Sequence, residues 1–202
     1  MEKENKSEKV FSKGFCTLII VICLLLISFT VVGFFFFSKK DDEVIEQTES
    51  GGSVTLNYSS DVNGLSIINA VPTTNAIGMS GAEESQYFDF SVDVNLDNAK
   101  SVEYEIYIEK VASGSTISDE DIRIYLEKEK SGTYNKEFDP MKFSPLKKAT
   151  ALGAEKGSMV LGKVKKTKSG VDNYRLRMWL ADNSLTPTGN YSVLVNVVGE
   201  AK

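Results

Sequence analysis

A run of 23 residues without a charged side chain lies near the amino terminus of this 202-residue chain. It extends from Phe15 to Phe37 and reads FCTLIIVICLLLISFTVVGFFFF. As an α-helix that rises about 1.5 Å per residue, the run would be on the order of 34 Å long, enough to cross a hydrocarbon core about 30 Å thick. The sequence therefore predicts a single transmembrane helix at residues 15–37, in contact with the lipid bilayer.

A cleavable secretory signal is the main alternative for this run. The apolar part of such a signal is ordinarily only about 7 to 15 residues long, and small residues form its cleavage site. Here the run ends in Gly33 and four phenylalanines, and Ser38, Lys39 and Lys40 follow it. The length of the run and the lack of a small-residue site favour an anchor that is not cleaved.

Lysine residues flank the run unequally. Four lysines precede it, whereas only Lys39 and Lys40 follow it closely, together with several acidic residues. Because basic residues near the ends of a membrane span resist translocation, we expect residues 1–14 to form a cytoplasmic tail. The sequence thus predicts a single-pass protein of the cell membrane, with its amino terminus in the cytoplasm and its carboxy-terminal domain outside the cell.

The chain changes character after the run. Residues 38–53, SKKDDEVIEQTESGGS, have the composition of an acidic stalk or linker. From residue 54 onward apolar residues alternate with polar ones, which is typical of half-buried strands. The strongest predicted strands are 88–96, 102–108, 122–126, 174–180 and 191–197, and the weaker ones are 54–58, 65–70 and 159–164.

Strands at this density, without amphipathic helices between them, predict a mainly β fold. We expect an antiparallel β-sandwich of the jelly-roll or immunoglobulin-like type over residues 54–202. Residues 138–157 show no periodicity and contain Pro140 and Pro145. This stretch is predicted to cross from one sheet to the other.

Residue types that carry much of enzyme chemistry are missing or lie within the apolar run. The chain has no histidine, which is the commonest general base. Its cysteines, Cys16 and Cys23, both lie in the run, so the outer domain has no thiol for catalysis or zinc binding. The formal net charge of −5 disfavours nucleic acid as a partner. We expect no enzyme activity, no cofactor, no metal site and no nucleic-acid partner.

Trp179 lies in the predicted strand 174–180, at a position that alternates with the core pattern. It therefore shares the opposite face with Arg175 and Arg177. An exposed aromatic residue beside arginines is a common composition of binding hot spots, so these three residues are a candidate contact surface. The alternative is that a crossing loop covers this face, or that Trp179 stacks on an arginine whose carboxylate partner lies on another strand. The acidic partners would then be Glu103, Glu105 or Glu109.

Strands near the end of a domain can pair with the sheet edge of another copy. Residues 54–58 and the closing strand at 191–198 are both rich in β-forming residues. The candidate strand-exchange residues are Val54, Leu56 and Tyr58.

Four further blocks follow the anchor and the acidic stalk. They are NGLSIINAVPTTNA at 63–76, FDFSV at 88–92, YRLRMWL at 174–180 and NYSVLVNV at 190–197. In this order they resemble uncharacterised membrane-anchored surface proteins of Gram-positive bacteria. The Phe-Asp-Phe strand, with the alternating strand after it, is more distantly similar to the camelysin and biofilm matrix fibre family.

This resemblance implies a jelly-roll-like sandwich that can assemble by strand exchange. The chain departs from that family because its hydrophobic segment has no signal-peptidase site, and no functional residue is carried over from it. We expect a non-catalytic surface adhesion or structural module with a protein or glycan partner outside the cell, and with self-association. The alternative is an accessory subunit of a cell-envelope complex, whose transmembrane helix recruits a membrane partner.

Overall fold

The computed structural model of the protein describes residues 51–58, 63–81 and 87–202, and the backbone of residues 43–45. The predicted tail at 1–14 and the predicted membrane helix at 15–37 lie outside these ranges. Among the described residues, no helix has the length and apolar character needed to cross a membrane. All described residues belong to one compact unit, residues 41–202.

Ten strands and one short helix lie in the described part of the chain. The strands are β1 Glu43–Ile45, β2 Ser53–Tyr58, β3 Gly64–Ala70, β4 Tyr87–Asn95, β5 Val102–Lys110, β6 Ile122–Lys130, β7 Thr133–Lys136, β8 Met159–Lys166, β9 Gly170–Leu180 and β10 Gly189–Ala201, and the helix is α1 Asn75–Ser80. The eight strands predicted from alternation are all present. Strands β1 and β7 are additional.

The strands form two antiparallel sheets that pack face to face. The six-stranded sheet has the order β1-β2-β4-β9-β6-β7, and the four-stranded sheet has the order β3-β10-β5-β8. Alternating residues point inward from both sheets into a single apolar core, as in β4, where Phe88, Phe90, Val92 and Val94 are buried and Asp93 is exposed. The predicted mainly β, antiparallel sandwich is confirmed.

The aperiodic stretch at 138–157 joins β7 of the six-stranded sheet to β8 of the four-stranded sheet, as predicted. Part of it lies on the outward side of β5. There the Thr150 hydroxyl donates a hydrogen bond of 2.5 Å to Oε2 of Glu105, and Leu152 and Ala154 are buried. Since Glu105 points away from the core, this loop covers part of the outer face of the four-stranded sheet.

A buried carboxylate connects the two sheets at one place in the sandwich. Asp172 of β9 accepts hydrogen bonds from Lys166 of β8 at 2.7 Å and from Tyr104 of β5 at 2.7 Å. Lys128 of β6 lies 2.9 Å from the same carboxylate, and the hydroxyls of Tyr104 and Tyr174 are 2.8 Å apart. Burial acts to raise the pKa of Asp172, but the hydrogen bonds from the two lysines and the tyrosine outweigh burial and lower it.

The structure does not leave the predicted strand-exchange residues at a free edge. Strand β2 is paired on one side with β4 and on the other with β1, opposite Val54 and Leu56. Both of these side chains lie in the core. The closing strand β10 lies inside its sheet, between β3 and β5. Neither strand is therefore an open edge of its own sheet, and strand exchange at Val54, Leu56 and Tyr58 stays a prediction.

The reason for the covered edge of β2 lies in the segment predicted to be a linker. Residues 43–45, Glu-Val-Ile, include two β-branched residues, which favour strands. They pair with β2 as the outermost strand of the six-stranded sheet. The sheet therefore begins within the predicted stalk and not at residue 54.

Candidate functional site

The outward face of the six-stranded sheet carries the residues that the sequence singles out. In β9 the side chains of Tyr174, Leu176, Met178 and Leu180 belong to the core or its border. Because successive residues of a strand point to opposite sides, Arg175, Arg177 and Trp179 lie on the opposite side. We call this side the outer face.

Trp179 lies on the outer face but is not exposed. Its side chain is 3% accessible, because helix α1 lies over it and the Gly78 backbone contacts the indole. Thr74 caps the helix, and Thr73 attaches the segment to β9 by donating its N–H to the Leu180 carbonyl at 2.9 Å. The prediction of an exposed Trp179 is wrong, and the alternative of a crossing segment describes the structure.

Arg177 is also withdrawn from solvent. It is 7% accessible, and its Nε donates a hydrogen bond of 2.9 Å to Glu127 on the neighbouring strand β6. Its Nη1 donates to the carbonyl of Gly81, just after α1. The guanidinium therefore helps to hold the covering segment on the sheet. Its acidic partner, Glu127, therefore lies in the same sheet. Glu103, Glu105 and Glu109 all belong to β5 of the other sheet.

Arg175 remains partly accessible and is fixed in position from several sides. Its Nε and Nη2 donate hydrogen bonds of 2.6 and 2.7 Å to the two oxygens of Asp89. Its guanidinium lies 4.3 Å from the ring centroid of Tyr87 and 4.3 Å from that of Tyr134. The hydrogen bonds to Asp89 raise the pKa of Arg175 further above its usual value. Arg175 thus joins β4, β9 and β7 on the outer face.

Beside Arg175 the outer face has a shallow depression, widely open to solvent, of about 310 Å³. The outward-pointing side chains in its lining carry amide, hydroxyl, carboxylate and phenol groups, whereas the rings of Tyr58 and Phe90 belong to the core side of the sheet. The lining residues are Asn57, Tyr58, Asp89, Phe90, Ser91, Tyr134 and Asn173. Of the predicted strand-exchange residues, only Tyr58 borders this depression, and its ring also packs near Phe88, with 6.2 Å between centroids.

A row of polar side chains crosses the depression perpendicular to the strands. Asn57 of β2 is in register with Ser91 of β4, and Ser91 is in register with Asn173 of β9. Asn173 donates a hydrogen bond of 2.7 Å from its amide to Glu129 of β6, which is in register with Tyr134 of β7. We call Asn57, Ser91, Asn173, Glu129 and Tyr134 the polar row.

Sequence reasoning identified only part of this site. It placed Arg175 on the correct face, but it did not find Asp89 as its partner or Tyr134 as its neighbour. The available signal was the outward position of Asn57, Ser91 and Asn173 in predicted strands. That signal says which side a residue faces, whereas the row depends on the register between strands.

No family model matches the sequence. None of the curated proteins matches it either. Among solved structures, the chain is similar to one described as "AvmM Catalyzes Macrocyclization in Alchivemycin A Biosynthesis", with 8% identity, a TM-score of 0.32, and coverage of 80% of this chain and 94% of that chain.

A second solved structure is described as "Complete structure of manganese lipoxygenase of Gaeumannomyces graminis and partial structure of zonadhesin of Komagataella pastoris". The similarity to it has 13% identity and a TM-score of 0.19, and covers 74% of this chain and 48% of that chain. At these TM-scores neither similarity bears on the function of the chain.

Proposed function

We propose that this chain is a membrane-anchored, non-catalytic recognition module that acts in adhesion or assembly at the cell surface. Residues 15–37 anchor it, residues 1–14 lie in the cytoplasm, and a sandwich of the jelly-roll type lies outside the cell. The observation that carries the proposal is the outer face of the six-stranded sheet. It combines aromatic and arginine side chains, a composition favoured at binding surfaces, beside a shallow depression.

The outer face is ordered before any partner arrives, which supports a role in binding. Arg175 is held by Asp89 and by two aromatic rings. A partner that binds next to such a side chain does not have to immobilise it, so less free energy is lost on association. A surface fixed in advance by ion pairs is therefore suited to recognition.

Two carboxylates of the outer face are engaged in ways that favour binding over catalysis. Asp89 pairs with Arg175, and Glu127 pairs with Arg177. Each carboxylate is occupied by hydrogen bonds from a guanidinium, so it is not free to contact a substrate. In the described residues these pairs act to fix strands β4, β6 and β9 to one another.

The test uses cells that display the full-length chain and a measurement of their adhesion to matrix or to neighbouring cells. We expect Ser91→Arg, which places a large cation in the depression, to reduce adhesion strongly. Ser66→Arg is the matched control, since Ser66 is an exposed serine on the outward side of β3 in the other sheet. Replacing residues 15–37 by an unrelated single-pass anchor should leave adhesion intact.

The opposite pattern would contradict this function. If the anchor replacement abolishes function while Ser91→Arg has no effect, the helix and not the sandwich recognises the partner. The chain would then act as an accessory subunit that a membrane partner recruits.

A further inference from the structure

Three adjacent members of the polar row offer neutral hydrogen-bonding groups at regular intervals. Asn57 and Asn173 each carry a donor and an acceptor, and Ser91 lies between them with a hydroxyl that can do both. Two neighbouring hydroxyl groups of a sugar need a donor and an acceptor side by side. The amide side chain is therefore a natural partner for a sugar diol.

The charge around the row disfavours an anionic ligand. The basic side chains beside it are Arg175 and Lys136, which are paired with Asp89 and Asp139 respectively. The remaining charge within the row is the carboxylate of Glu129, which accepts the hydrogen bond from Asn173. A phosphate, sulfate or uronate group would meet a negative charge here, and the part of the chain that the structure describes offers no free cation beside the row to compensate for it.

An aromatic ring closes one end of the row. Tyr134 is half-buried, lines the depression and has Arg175 packed against its ring. Because Arg175 holds the ring in one orientation, the ring can serve as a fixed apolar platform. Such platforms bind the C–H faces of sugar rings at low entropic cost.

The spacing of the row suits an extended ligand. Its five members lie on adjacent strands β2, β4, β9, β6 and β7. With about 4.8 Å between strands, the row spans roughly 19 Å. Each pyranose unit of a linear glycan advances by a distance close to this strand spacing, so consecutive sugars meet consecutive strands.

From these observations we infer that the polar row is a binding site for a neutral, linear oligosaccharide. The glycan lies across the strands, with its hydroxyl groups on Asn57, Ser91 and Asn173 and one sugar ring against Tyr134. This inference rests on the recognition function proposed above and names the partner class for it.

The test is isothermal titration calorimetry with the full-length chain in detergent micelles. The neutral probes are cellohexaose, chitohexaose, maltohexaose and mannohexaose, and the acidic probe is hexagalacturonic acid. We expect at least one neutral probe to bind and the acidic probe not to bind. The double variant Asn57→Ala/Asn173→Ala should weaken neutral binding by about tenfold or more, because hydrogen bonds are lost at both positions.

Two further variants make the test specific to the row. Asn196→Ala is the matched control, since Asn196 is a half-buried asparagine on the outward side of β10 in the other sheet; it should leave binding unchanged. Tyr134→Ala should also weaken binding. Because Tyr134 contacts Arg175 and its removal affects packing, the double asparagine variant is the decisive one.

The inference is overturned if no neutral probe binds, if only hexagalacturonic acid binds, or if the double asparagine variant binds as tightly as the parent chain. The adhesion assay separates this failure from failure of the proposed function. If Ser91→Arg still abolishes adhesion, the module recognises a protein and the glycan inference alone is discarded. If adhesion is also insensitive to Ser91→Arg, both are discarded.

Discussion

Gly78 allows helix α1 to lie directly on the indole of Trp179. A Cβ atom at this position would lie 2.2 Å from Cδ2 of the indole, far inside van der Waals contact. Any other residue would therefore push the helix away from the sheet. The burial of Trp179 depends on the absence of a single methyl group.

We expect Gly78→Ala to destabilise the fold by about 1–3 kcal/mol through overpacking, even though alanine is the better helix former. Trp179 is the only tryptophan of the chain, so its fluorescence reports on this contact. Its emission should shift to longer wavelength as the helix lifts. Gly162→Ala is the control, because a Cβ added at Gly162 meets no atom within 4 Å.

Urea unfolding gives the free energies of the two variants. Equal stability of Gly78→Ala and the parent chain, with unchanged emission, would mean that the helix does not pack on the indole as described.

Alternation along a strand correctly predicted the side on which Arg175, Arg177 and Trp179 lie, but not their exposure. The segment that buries Trp179 and Arg177 comes from far earlier in the chain; the bond from Arg177 to Gly81 joins residues 96 positions apart. Hydrophobic periodicity carries no information on which distant segment crosses a face. The indole is largely apolar, and helix α1 buries it.

Strand β1 protects the edge of β2. It has only three residues, yet it lies along Val54 to Leu56 at the border of the six-stranded sheet. An uncovered strand edge presents backbone groups that pair readily with another chain. A short outermost strand of this kind limits such pairing.

The fragment 51–202 lacks β1 and should therefore self-associate more than the fragment 41–202. The expected difference appears as a larger share of dimer or higher species at equal protein concentration. Size-exclusion chromatography with light scattering measures it, and Leu56→Ala in both fragments controls for general loss of stability. Monomers of both fragments at high concentration would show that β1 does not guard this edge.

The strands that the sequence predicts are those with one solvent-exposed face and one buried face. In β4, β5, β6, β9 and β10 the alternation extends over many residues, and the core of the sandwich follows from it. Strands β1 and β7 escaped prediction because three or four residues cannot show a period, and TYNK of β7 is largely polar. They are strands because neighbouring strands offer backbone partners.

Acid should weaken the whole sandwich through carboxylates that its strands hold ionised. Hydrogen bonds from Lys202 and Lys165 lower the pKa of Glu103 to about 2, and the pKa of Asp172 is also lowered. A carboxylate whose pKa is lower in the folded chain stabilises the fold above its ordinary pKa. This contribution is lost as the pH falls, here from about pH 5 to about pH 2.

The free energy of unfolding should therefore decrease over that pH range, and it should decrease less in Asp172→Asn. At neutral pH this variant should already be less stable by about 2–3 kcal/mol, since Lys128 and Lys166 lose their shared partner. Asp93→Asn is the control, because Asp93 is exposed on the outer face. Parallel pH curves for the parent chain and Asp172→Asn would rule out a role for this carboxylate in acid sensitivity.

The candidate site could not be derived from sequence alone, although the fold class could. The members of the polar row come from residues 57 to 173 and from five strands. They meet only because β4 inserts between β2 and β9, and β6 between β9 and β7. Strand order and register depend on the packing of the entire molecule. Fold class can be predicted from the alternation of apolar and polar residues within each strand.

The direction of the polar row has a mechanical consequence. A ligand along the row would contact side chains on β2, β4, β9, β6 and β7, which are joined side by side by backbone hydrogen bonds. In the proposed surface role, a pull on such a ligand would be shared by several strands at once. Many backbone hydrogen bonds between these strands would have to break together before the site came apart.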